Sequence, residues 1–236
     1  MKVINQAKST HQKRPTQTME ERLNTLRAGV LGSNDGILTV VGVLFSVAVA
    51  TTNQFTIFIA GLADLLACAF SMASGEYASV STQKDTEKAV VAQEARLLKT
   101  NYDDEFKVVV DHYTARGVTP TTATQIAQSL MAKKPLDTLV SIKYDLQLGH
   151  YMNPWNAAFS SLFAASAGGV FPLAAMTLAP VAYQWPATIL AVCFSVALTG
   201  FTSAKLGNGS VKTAMIRNVV IGILTMIIHY SIGLLL

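Results

Sequence analysis

Three carboxylates stand in stretches that are otherwise almost wholly apolar: Asp35, Asp64 and Glu76. A charged side chain at the centre of a bilayer costs about 2.5–3.5 kcal/mol even on the lenient insertion scale. Such residues line a water-filled or ion-filled path, or else are kept protonated or tied to a neighbour such as Asn34. Met72 follows Asp64 by eight residues, an offset of about 80° and about 12 Å along a helix. Glu76 follows Met72 by four and shares its face. One helix therefore presents carboxylate, thioether and carboxylate along a broad stripe. Oxygen donors with a single soft sulfur suit a transition metal of intermediate character better than Ca2+ or Mg2+. The predicted pathway residues are Asp35, Asp64, Met72 and Glu76.

The elements that must position these groups follow from composition. Hydrophobic residues make up 51% of the 236, charged residues 14%, and no Asp or Glu follows Asp145. Soluble domains carry roughly 25% charged residues, so the solvent for much of this chain is a lipid bilayer. Five apolar stretches, at about 29–51, 55–79, 155–178, 186–206 and 213–235, each reach the roughly 20 residues that cross ~30 Å of hydrocarbon. The chain divides into a polar tail (1–28), two membrane helices (29–81), a polar helical insertion (82–152) and three more membrane helices (153–236). The tail has no short apolar core with a small-residue cleavage site, so no signal peptide is expected. Asp35 then lies about 10 Å from one face and Asp64 about 14 Å from the other.

Charge fixes the expected orientation. All 18 Lys and Arg fall in the tail, the insertion or the region from Lys205 to Arg217. The connections Thr51–Gln54 and Ala179–Pro186 hold none. By the positive-inside rule the N-terminus and the insertion are cytoplasmic. The basic residues do not gather on one soluble face, so the net charge of +4 does not point to nucleic acid. Cys68 and Cys193 both lie in apolar stretches, which excludes a disulfide scaffold.

Within the insertion, residues 83–100 extend the second membrane helix. An amphipathic helix over 103–116 stops at Gly117, a third opens at Thr119-Pro120 with a capping threonine and a first-turn proline, and a fourth covers 136–147. Glu87 and Glu94, seven apart, face one way. Asp103, Asp104 and Glu105 open a helix, where acids favour the dipole, and Asp111 lies on it. His112, His150 and His229 show no metal-ligand spacing. Gly29, Gly32 and Gly36, and the small residues from Ala60 to Gly75, suit close helix packing, within the chain or between subunits. An intramembrane aspartic dyad would need a Gly-x-Gly-Asp run. Here Asp35 sits in SNDG and Asp64 in GLAD, so no enzyme is expected.

The runs RAGVLGSNDGI (27–37), AGLADLLACAFSMASGEYASVSTQKDTE (60–87), NPWNAA (153–158) and RNVVIGILTMIIHYSIG (217–233) resemble the vacuolar iron transporter family, over nearly the whole chain after residue 25. The resemblance implies an all-α homodimeric membrane protein of five transmembrane helices with a cytoplasmic helical insertion between helices two and three. It implies proton-coupled export of Fe2+ or Mn2+ from the cytoplasm, with the metal as substrate and no cofactor. The family's pathway residues fall on Asp35, Asp64 and Met72. Its cytoplasmic metal-binding domain carries over onto Glu94, Asp145 and Glu105, while Leu97, Val108, Ser141 and Ile142 stand where acids or methionines are expected. Glu94, Glu105, Asp111 and Asp145 are expected to concentrate cations near the pathway, with only weak binding by the insertion. The location implied is the cell membrane in a prokaryote or the vacuolar membrane in a eukaryote. Rival readings are an exporter of another divalent metal, and a non-transporting scaffold that leaves the buried acids unexplained.

Overall fold

The computed structural model of the chain describes residues 19–235, so most of the predicted polar tail (1–18) lies outside the described residues. Among them every regular element is helical: α1 (Met19–Ala50), α2 (Gln54–Thr100), α3 (Tyr102–Ala115), α4 (Pro120–Lys133), α5 (Pro135–Tyr144), α6 (Pro154–Leu178), α7 (Gln184–Leu206) and α8 (Val211–Leu235). A single 3-10 turn, Val181–Tyr183, leads into α7. Five helices (α1, α2, α6, α7 and α8) are long and apolar enough to cross a membrane. Their outer faces are apolar and bare: Phe163 is 68% exposed, Leu190 70% and Phe194 62%. Water would penalise that surface, and lipid accepts it.

α1 is the centre of the bundle. Its Ile37, Val40, Val41, Leu44 and Phe45 pack with Ile57 and Leu65 of α2, Met176 of α6, Val192 and Val196 of α7 and Met226 of α8. Against α6 the approach is closest, because both helices put small residues at the crossing. A Cβ on Gly32 would sit 2.6 Å from the Ser161 carbonyl oxygen, and one on Gly169 2.7 Å from that of Gly36. The glycines of α1 are thus used inside the chain. Most small residues of α2 are not: Ala63, Ala67, Ser71, Ser74 and Gly75 are exposed.

α2 has 47 residues, about 70 Å at 1.5 Å per residue, more than twice a ~30 Å hydrocarbon core. It passes residue 82 without a break, so the change there is one of composition and not of backbone. Its polar half carries α3, α4 and α5 around a second core of Val109, Ala127, Met131 and Leu139, flanked by Leu98 and Phe106. The boundaries have local causes. Gly117 takes the left-handed conformation at φ +89°, Thr119 Oγ1 accepts from the Thr122 amide at 3.4 Å ahead of Pro120, and Pro135 follows the break at Lys134. Asp145 ends α5 at φ 55°. α1 starts ten residues before the predicted span, and the extension is anchored where Ala28 packs on Val80, Met152 and Ala157.

Candidate functional site

On α1 the spacing of Asp35, Thr39, Gly42 and Ser46 is four, three, four, which places them on one face. On α2, Asp64 and Cys68 are one turn apart. The helices run antiparallel, and Cys68 Sγ lies 3.7 Å from Asp35 Oδ2. The same register brings Thr39 beside Asp64. The proximity of Thr39 does not amount to a bond. Thr39 Oγ1 and Asp64 Oδ2 are both buried without a protein hydrogen-bond partner, as is Asn34 Oδ1. Buried polar atoms are almost always bonded, and each exception costs about 1–3 kcal/mol. These three fall on the α1–α2 pair.

Met72 is half-buried one turn beyond Cys68, and Glu76 one turn further. Glu76 Oε2 is again buried without a partner. Arg27 of α1 bonds Asn24 Oδ1 at 3.0 Å. About 16 Å further along α2, Glu87 lines a cavity of about 260 Å³ with Asp145, His150, Met152 and Met19. Along α2 from this cavity follow Glu76, Met72, Cys68 and Asp64, with Asp35 and Thr39 of α1 beside the last two.

The acids of the insertion are dispersed. Glu94 on α2 and Glu105 on α3 are buried and share Lys143 of α5, whose Nζ is 2.9 Å from Glu94 Oε2 and 2.5 Å from Glu105 Oε2. The Glu105 contact is an ion pair. Tyr144 donates its hydroxyl to Glu94 Oε1 at 2.9 Å. Burial pulls the Lys143 ammonium down, but the two carboxylates outweigh it and raise its pKa above the ordinary value. The bond to Glu94 raises the Tyr144 phenol. Asp111 and Asp145 are exposed. Among the described residues, no three Asp, Glu, His or Cys side chains come together closely enough to hold a metal ion.

Sequence reasoning missed Thr39, Cys68, Lys143 and Tyr144. Only the helical spacing from Asp35 and Asp64 pointed to the first two. A lysine in an amphipathic helix carries no signal of its own. His229, with Nδ1 2.9 Å from the Thr225 carbonyl oxygen, sets its ring against Gly42.

Comparison with known proteins adds to this geometry. The profile of the VIT family matches residues 26–234. The chain is 35% identical over 213 residues to a vacuolar iron transporter of Acanthamoeba castellanii, covering 89% of this chain and 78% of that protein. It is 27% identical over 214 residues to vacuolar iron transporter homolog 2.1 of Arabidopsis thaliana, covering 90% and 81%. With vacuolar iron transporter homolog 1 of Oryza sativa subsp. japonica it shares 29% over 215 residues, covering 89% and 73%.

Proposed function

The chain belongs to the VIT family, whose members are transporters and not enzymes, and on that premise we propose that it exports divalent iron from the cytoplasm in exchange for protons. Mn2+ is a second cargo, since the same oxygen donors suit it. The observation that carries this reading is the set of buried oxygens without protein partners on α1 and α2: Asn34, Thr39, Asp64 and Glu76. A fixed structural role would have paired them.

The polar end of the bundle, where α1 begins and α2 projects, is the cytoplasmic end. The distribution of Lys and Arg supports this, as does the cavity that Met19 and Arg22 line with Leu206 and Asn208. A cation gathers at the mouth between Glu87 and Asp145, passes Glu76 and Met72, and reaches Asp35 and Asp64. There it displaces protons, because a carboxyl cannot hold both. Release on the far side lets protons return, so an inward proton gradient drives export. The exposed small-residue face of α2 suits a second copy of the chain, which would make the transporter a homodimer. A eukaryotic host would place it in the vacuolar membrane, a prokaryotic one in the cell membrane.

Purified protein in liposomes, loaded in turn with Fe2+, Mn2+, Co2+ and Zn2+ under a proton gradient, tests the reading. Iron flux should depend on the gradient. Asp35→Asn and Asp64→Asn should each abolish it while leaving the melting profile intact. Wild-type flux from either variant refutes the pathway.

A further inference from the structure

The strongest polar constellation outside the membrane helices joins three elements of the insertion. Glu94 is wholly buried, with its side chain 1% exposed, and the Glu105 side chain is 8% exposed. Carboxylates so placed are tolerated only when a positive charge compensates them. The compensation comes from within the chain, since Lys143 Nζ lies 2.9 Å from one and 2.5 Å from the other. The adjacent Tyr144 hydroxyl takes the remaining oxygen of Glu94.

We propose that Lys143 is the resident cation of the helical insertion. Its tethered ammonium fills the space between Glu94 and Glu105 that a divalent ion would need, so the insertion closes without metal and admits none there. The family likeness suggests the opposite, a metal-binding domain with Glu94 and Glu105 as ligands, and with the ammonium between them the donor set does not fit it. One turn from each carboxylate and from the lysine stand Leu98, Val109 and Leu139, all part of the apolar core. Among the described residues no cysteine, histidine or further carboxylate joins the pair. Transition ions ask for four to six donors. Two carboxylates are too few for a free ion to prevail over an ammonium on the same chain, present at high effective concentration. Displacement would also leave a lysine stripped of both partners beside the core.

This inference concerns binding in the insertion and is read without any flux measurement, so it stands or falls apart from the transport reading. The full-length protein is used, with Mn2+ as the probe. In the unmodified chain, acylation of Lys143 by an amine-reactive reagent, followed by peptide mass spectrometry, should be slow and unchanged by saturating Mn2+. A several-fold increase would mean that the ion expels the ammonium, and would overturn the proposal. Lys143→Gln removes the charge and frees the pair, and carboxylates with water suit Mn2+. That variant should bind one Mn2+ equivalent more than wild type, and Glu94→Gln added to it should remove the extra equivalent. Lys143→Arg should bind as wild type does. A folded Lys143→Gln protein with no additional site also overturns the proposal. If that variant does not fold, the acylation result decides alone.

Discussion

Thr39 and Asp64 lie beside each other across two helices with an oxygen each left without a partner, which separates their cost to folding from their proposed use in transport. Removing an unpaired buried hydroxyl loses no hydrogen bond, so Thr39→Val should melt within about 1 kcal/mol of wild type or slightly above it. The same change strips an oxygen from the proposed path, and flux should drop several-fold. Full flux with a lowered melting temperature would make Thr39 a packing residue. Asp35 and Asp64 were legible from sequence because depth in an apolar run is a property of the run. Thr39 and Cys68 are ordinary residues in such runs, and only the antiparallel register that sets 35 beside 68 brings them to the carboxylates. Lys143 was illegible for a related reason: its partners lie 49 and 38 positions away, on other helices. Its ammonium and the Tyr144 phenol both hold their protons more tightly in the folded chain. Their contribution to stability is therefore complete below the ordinary lysine and tyrosine range near pH 10, and is lost as pH rises through the higher folded values. A difference titration of tyrosine absorbance between wild type and Tyr144→Phe should show a phenol ionising later than free tyrosine. Ionisation at or below the free value would contradict the bond to Glu94.

At the scale of elements, two glycines with the same sequence appearance do different work. A Cβ on Gly36 would collide with the Ala165 backbone, whereas one on Gly75 meets nothing within 4 Å. Helix backbones cannot yield as a side chain can, so Gly36→Leu should separate α1 from α6 and cost about 3 kcal/mol or more, the upper range for overpacking. Gly75→Leu should leave the fold of one chain intact, with a gain in helix propensity of up to about 1 kcal/mol. If a second copy covers that face of α2, the same substitution should shift the assembly toward monomer in size-exclusion chromatography with light scattering. An unchanged dimer would place the subunit contact elsewhere. Sequence alone left both glycine sets open between packing and assembly, because small residues declare that something comes close without saying what. The five spans were legible to within a few residues at most ends, since hydropathy is local, as is the Thr119 cap that opens α4 in the insertion. The start of α1 was not. Residues 19–28 are mostly polar, and the contact that anchors them, Ala28 with Val80 and Met152, is with residues far along the chain.

At the scale of the molecule, a helix about 70 Å long joins a bilayer-sized bundle to a small polar domain, and the cavity lined by Glu87, Asp145 and His150 lies where the two meet. That cavity is open to solvent, and its acids do not converge on one point. It should then act on the arrival of cations and not on their final binding. Opposite charge at a mouth raises the encounter rate with a small cation, and the gain falls as salt screens it over a Debye length of about 8 Å at physiological ionic strength. Replacing Glu87 by Gln and Asp145 by Asn together should lower flux several-fold at limiting metal and leave the saturated rate nearly unchanged. Raising ionic strength should reduce wild-type flux at limiting metal while affecting the double variant little. Such a split is what an electrostatic funnel produces, because the charges at the mouth are outside the proposed exchange of metal and protons at Asp35 and Asp64. An equal loss at limiting and saturating metal would instead put Glu87 and Asp145 on the obligatory path, and the binding sites of the transporter would have to extend to the junction itself.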